Sequence, residues 1–135
     1  MSRAAVASTA LGLAVVVGAF LVFQPSAATS SGAIVWLSRR IADLGVPYHR
    51  ASDVVGFSLN VALFVPGAAA AALLWRRVRW WHWVLVGFVV SAGIETMQGL
   101  FFASRDAEVR DLVSNTLGAA LGSAAALLWL RRPHT

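Results

Sequence analysis

Four apolar runs, each about 20 residues long, set the terms on which this chain can fold. They are Ala4–Phe23, Val54–Trp75, Trp83–Phe102 and Leu112–Leu130, and together they contain one charged residue, Glu95. At about 1.5 Å per residue, a helix of that length spans roughly 30 Å, the thickness of a bilayer's hydrocarbon core. In lipid, backbone N–H and C=O groups must be satisfied within the segment, which selects helix. The chain is 59% hydrophobic and 13% charged, against about 25% charged in soluble domains. A soluble domain of 135 residues has too little interior to hide so much apolar surface. The expected fold is therefore all-α and integral to a membrane. Four transmembrane helices form a bundle, as a single membrane domain over residues 1–135.

Arginine placement sets the orientation. One end of the bundle gathers Arg3, Arg76, Arg77, Arg79, Arg131 and Arg132 with no acidic residue. The other holds Arg39, Arg40, Arg50, Arg105 and Arg110 against Asp43, Asp53, Asp106, Glu108 and Asp111. The positive-inside rule puts the purely basic end, and with it both termini, in the cytoplasm. Ser26-Ala27-Ala28 resembles a signal-peptide cleavage site. The length of the first run and the single arginine before it favour a retained span. Trp75, Trp80, Trp81 and Trp83 cluster at the cytoplasmic boundary, where indole rings anchor. Between the first two runs, Ile34, Leu37, Ile41 and Leu44 recur at helical spacing, with Arg39, Arg40 and Asp43 elsewhere on the wheel. This predicts a short amphipathic helix over about 32–45, either lying in the outer interface or packed on the bundle. The lysine-free, alanine-rich composition points to a bacterial source, and the expected location is the bacterial cell membrane, multi-pass.

Several chemistries are excluded early. There is no cysteine, and His49, His82 and His134 are scattered, so no metal-ligand set and no cofactor are expected. The net charge of +5 comes from arginines that flank apolar runs and form no continuous stripe. They suit lipid headgroups and topology, and no nucleic-acid partner is expected.

The informative residues are the polar ones inside the spans. A carboxylate at a helix centre costs about 2.5–3.5 kcal/mol on insertion scales, so Glu95 needs a partner or a purpose. Ser91 and Gln98 lie one turn to either side of it, on the same face. Counting from the outer boundary, Asn60 and Glu95 lie roughly 10 Å deep, with Gln98 and Asn115 at about 6 Å. Three spans thus bring polar groups into one outer layer. Arg105 or Arg110 is within reach to neutralise Glu95 from the connecting loop. Gly118 and Gly122 form a small-xxx-small seam, suited to packing within the chain or in a homodimer. Pro66-Gly67 suggests a kink or break in the second span.

These elements carry a resemblance. Asn60 with Phe64 and Pro66, then Ile94-Glu95-Thr-Met-Gln98, then Arg105, then Asp111-Leu-Val-Ser-Asn115-Thr116-Leu-Gly118 with Gly122, stand in the order of the VanZ-like family pattern. They cover about residues 53–122, while the first run and the 24–52 segment match no motif of it. The resemblance implies a small four-span bacterial membrane protein of the cell envelope. The name-giving member is linked to teicoplanin resistance, a glycopeptide-antibiotic phenotype, and the family implies no established reaction. Its matching polar positions are Asn60, Glu95, Gln98, Arg105, Asp111 and Asn115.

The leading functional reading is a module that binds an amphiphile at the outer leaflet through these six residues. The ligand would be a lipid headgroup, a lipid-linked cell-wall precursor or a lipoglycopeptide. A second reading is an intramembrane enzyme using Glu95 and Asp111 as an acid/base pair on a lipid-linked substrate. A third is a proton- or ion-coupled carrier with Glu95 as its protonation site, and a fourth is a polar staple that only holds spans together.

Overall fold

The computed structural model describes residues 5–6, 8–9, 11–13, 28–101 and 109–131. The described positions of the first apolar run are helical. The rest of that run, the cleavage-like Ser26-Ala27 and the 102–108 loop with Arg105 lie outside the described residues. Among the described residues every regular element is an α-helix: α1 Ala28–Ala42, α2 Tyr48–Leu74, α3 Trp80–Phe101 and α4 Val109–Leu130.

α1 covers the predicted amphipathic segment, shifted toward the N-terminus. Ile34, Leu37 and Ile41 are half-buried and Ser38 is buried, while Trp36, Arg39 and Arg40 face outward. The helix packs on α2. Arg39 and Arg40 occupy its last turn, where cations complement the helix dipole. It stops at Ala42 because the chain turns at Gly45, whose φ of +94° is left-handed. Tightened hydrogen bonds from Leu44 N–H to Ile41 O and from Gly45 N–H to Ala42 O close that end.

α2 starts after Pro47, six residues before the expected Val54, and α3 and α4 each start three residues early. Polar residues such as His49, Arg50 and Asp53 continue the helix beyond the apolar run, so the N-terminal end of α2 extends past it. Pro66 does not break α2. The helix runs continuously from Tyr48 to Leu74, although proline supplies no N–H to the Ala62 carbonyl. At the other end, Val78 N–H bonds to Trp75 O and His82 N–H to Arg79 O, forming the tight turn into α3.

Register fixes the bundle. α4 packs chiefly on α2 and next on α3. Asp53 meets Arg110, 57 residues further along. Val61 lies against Gly118, and Val65 against Gly122, at the same offset. A constant offset means that α2 and α4 run parallel. Asn115 meets Ser91, while Ala119 meets Gly87, one turn on in α4 and one turn back in α3. α3 is therefore antiparallel to both.

The glycines explain the closeness. A Cβ on Gly118 would stand 2.9 Å from Phe64 Cβ and 3.1 Å from the Val61 carbonyl carbon. On Gly122 it would stand 3.0 Å from the Val65 carbonyl carbon and 3.1 Å from Ala69 N. The seam expected to serve either the chain or a homodimer is thus occupied within the chain, by the backbone of α2.

The interior is small and partly polar, and the exterior is large and apolar. Buried apolar side chains among the described residues are alanines and Val55, joined by Ser38, Ser91, Ser114, Asn115 and Ser123. Leu85, Phe88 and Val89 on α3 and Leu121 and Leu128 on α4 are exposed. Water would drive the reverse arrangement. In lipid, helices associate instead through small residues and interhelical hydrogen bonds. α2 and α4 are long and apolar enough to cross a membrane, and α3 matches α4 in length.

Candidate polar site between the helices

α4 is the wall that the site shares. Two stripes on it are buried: Ser114, Gly118, Gly122 and Ala126, and Asn115, Ala119 and Ser123. Gly118 and Gly122 place the first stripe on α2. Asn115 and Ala119 place the second on α3. Asn115 therefore sits in the crevice between neighbours, only 5% exposed. Its Nδ2 donates to Ser91 Oγ at 2.9 Å, and Ser91 is fully buried. Asn115 Oδ1 is buried, and among the described residues nothing donates to it. A buried polar atom left in that state costs about 1–3 kcal/mol.

One turn toward the N-terminal end of α4, the same antiparallel register sets Glu95 of α3 opposite Asp111 of α4. Both are half-buried. Asp111 lies in the first turn of α4, where a carboxylate complements the helix dipole. On α2, Phe64 approaches the position a Gly87 side chain would take, to 4.0 Å. The residue one turn outward from Phe64 is Asn60, which puts it at the level of Ser91. Asn60 is half-buried.

This arrangement differs from the sequence-derived layer in two respects. Asn115 is level with Ser91 and Asn60, one turn deeper than Glu95, so the expected depth order of Asn115 and Glu95 is reversed. The cause is the early start of α4 at Val109, which sets Asn115 further down its helix. The second difference concerns arginine. Arg110, one of the two arginines expected near Glu95, is engaged with Asp53. Its Nη1 bonds Asp53 Oδ1 at 2.8 Å and its Nη2 bonds the Asp53 backbone carbonyl. That pair clips α4 to α2 at the rim, with side chains 37% and 60% exposed. Gln98 lies on α3, but its side chain and all of Arg105 lie outside the described residues.

Sequence reasoning left two participants out of the site: Ser91 as the partner of Asn115, and Asp53 as the partner of Arg110. Signals for both existed. Ser91 stands one turn from Glu95 on the same face, and Asp53 and Arg110 are opposite charges at one boundary.

A helical bundle that turns leucine, valine and phenylalanine outward and buries serine, asparagine and glycine is built as a membrane protein. Its particular kind follows from the comparison with known families: the VanZ/LLP1 model matches residues 10–130. The chain belongs to the VanZ/LLP1 family and is a VanZ-like protein of the cell envelope. That match also takes in most of the first run and the whole 24–52 segment, which the motifs alone left unassigned. No curated protein and no solved structure matches the chain.

Proposed function

We propose that this chain is a multi-pass protein of the bacterial cell membrane that binds the polar head of an amphiphile in its outer half. In this reading residues 1–135 form one membrane domain. The first apolar run, α2, α3 and α4 are its four spans, both termini are cytoplasmic, and α1 lies at the outer interface. The ligand is a lipid, a lipid-linked wall precursor or a lipoglycopeptide, and its tails stay in the bilayer. Asn60, Glu95, Gln98, Arg105, Asp111 and Asn115 are the proposed ligand-binding residues, and Ser91 joins them through its bond to Asn115.

The observation that carries the reading is the unpartnered Asn115 Oδ1, beneath a level where register opposes Glu95 to Asp111. A staple accounts for the Asn115–Ser91 bond. It does not account for the idle acceptor beside it. The opposed carboxylates also favour a second reading, in which Glu95 and Asp111 act as an acid/base pair on a lipid-linked substrate, since such work needs two titratable groups that converge on one bond.

The test is native mass spectrometry of protein extracted from its own membrane. A lipid adduct that survives detergent exchange in the wild type and is lost in Glu95→Gln is expected. Identical spectra for both proteins would end the binding reading. Conversion of a retained lipid over time would move the protein to the enzyme reading.

A further inference from the structure

We infer that the turn between α2 and α3 is a docking site for the head of an anionic phospholipid. The turn lies at the end of the bundle away from the Asp53–Arg110 clip, and its role does not depend on amphiphile binding at Asn115. Residues 75–79 join the two helices, and Arg76, Arg77 and Arg79 are all exposed there. A fourth arginine reaches this end from α4. The offset of 57 residues that pairs Asp53 with Arg110, carried along both parallel helices, brings Arg131 level with Leu74, the last residue of α2. The acidic residues among those described lie at the opposite end. Asp43 precedes α2, Asp53 is near its start, Glu95 is near the end of α3, and Asp111 is in the first turn of α4.

The side-chain groups left over at this turn are donors. Arg76 Nε donates to the Leu73 carbonyl at 3.4 Å, which braces the guanidinium at the C-terminal end of α2 and leaves both Nη atoms uncommitted. Arg79 stands over the Trp81 ring, 6.0 Å from its centroid, a contact that uses the charge and none of the N–H groups. Arg77 and Arg131 form no ion pair among the described residues. Trp83 Nε1 is buried, and nothing described accepts its hydrogen. A ligand that suits this turn must therefore bring acceptors and negative charge. Phosphate brings both, and the guanidinium fork matches its oxygens two at a time.

The indoles assign that phosphate to a lipid. Trp75, Val78, Trp80 and Trp81 are exposed among the arginines, and the Trp75 and Trp83 rings meet at 5.7 Å between centroids. Indole rings settle at the level of lipid headgroups, with an apolar body toward the chains and an N–H toward water. A soluble anion would use the arginines and leave these rings idle, whereas a lipid uses both. The α1 end of the bundle does not match this chemistry. Arg40 stands over Trp36 there, but Asp43 follows Arg39 by one turn, and Arg110 is spent on Asp53.

The experiment loads the full chain into nanodiscs of equal parts phosphatidylglycerol and phosphatidylcholine, then counts retained lipids by native mass spectrometry. Wild-type protein should hold phosphatidylglycerol over phosphatidylcholine by about tenfold or more. Arg76→Gln, Arg77→Gln and Arg79→Gln should each cut that ratio about fivefold, the scale of one arginine at a charged surface. Their combination should bring it to parity, with helix content by circular dichroism unchanged. Lysine at the same three positions keeps the charge and should keep the preference. Arg39→Gln with Arg40→Gln removes two charges from α1 and should leave the ratio as it is. An equal fall in that α1 variant and in the triple glutamine variant would reduce the effect to net charge and overturn the site. Displacement of the lipid by inorganic phosphate at matched ionic strength would overturn the lipid assignment in favour of a free anion. A wild-type protein with no preference between the two heads would overturn the inference outright, and would leave the reading at Asn115 to its own test.

Discussion

Replacing Gly122 by alanine should force α2 and α4 apart and destabilise the bundle. The new Cβ would lie 3.0 Å from the Val65 carbonyl carbon and 3.1 Å from Ala69 N, and closer still to Val65 O. Ordinary carbon contacts begin at about 3.5 Å, so α2 and α4 must part by several tenths of an ångström or more. Each of these contacts is backbone, and no rotamer change can relieve them. Overpacking of this kind costs about 1–3 kcal/mol, and the upper half of that range applies where only rigid-body movement is available. The comparison variant is Gly93→Ala on α3, where a Cβ meets nothing within 4 Å. There, removing a glycine from a helix interior gains up to about 1 kcal/mol. Reversible unfolding in mixed micelles, followed by circular dichroism against mole fraction of sodium dodecyl sulfate, should separate the two variants by about 2 kcal/mol or more. Equal midpoints would mean that α2 and α4 do not touch through Gly122, and the parallel register would fall with them.

Four further outcomes are expected. A double-mutant cycle with Ser91→Ala and Asn115→Ala should give a coupling of about 0.6 kcal/mol, and no more than about 1.7; additive losses would contradict the bond at 2.9 Å. Asp53→Asn and Arg110→Gln should couple by about 0.2–1 kcal/mol, and because both side chains are partly exposed the coupling should shrink as salt is raised toward about 1 M; an undiminished coupling would mean the pair is shielded. Val89→Asp, on the exposed face of α3, should lower membrane insertion by about 2.5–3.5 kcal/mol in a glycosylation-reporter assay, where a water-facing position would tolerate it within about 0.5 kcal/mol. Topology reporters placed at Val78 and at Val46 should label opposite sides of the membrane, with Val78 inside, and the same side for both would remove α2 from the list of spans.

Helix content and the membrane setting were legible because apolar run length is a one-dimensional property. The ends were less so. Val54 looks like the start of a span, yet Tyr48–Asp53 is helical, because polar residues continue a helix past the lipid boundary at little cost. The site was legible as a set of residues and not as an arrangement. Depth counts for Asn60, Glu95 and Asn115 each depend on where a helix begins, and a three-residue error is nearly a full turn. Pairing depends on which faces meet, and that is decided by Gly87, Gly118 and Gly122, whose role is to let backbones approach. The motif positions name both Gly118 and Asn115. They do not say that the first lies on α2 while the second reaches α3.

For the proposed binding role, that division of α4 into two faces bears on where a ligand would enter. At Gly87, Gly118 and Gly122 the helices approach as closely as backbone atoms allow, so nothing passes between them at that depth. Outward of this level, Asn115 and Asp111 on the second face of α4 stand opposite Ser91 and Glu95 in register, and Asp53 with Arg110 fastens α4 to α2 at the rim. In the proposed binding role, a head would enter from that end and stop at Asn115, the level at which an acceptor is left open. Loosening the glycine seam should therefore weaken ligand retention as well as stability, although neither Gly118 nor Gly122 touches the site.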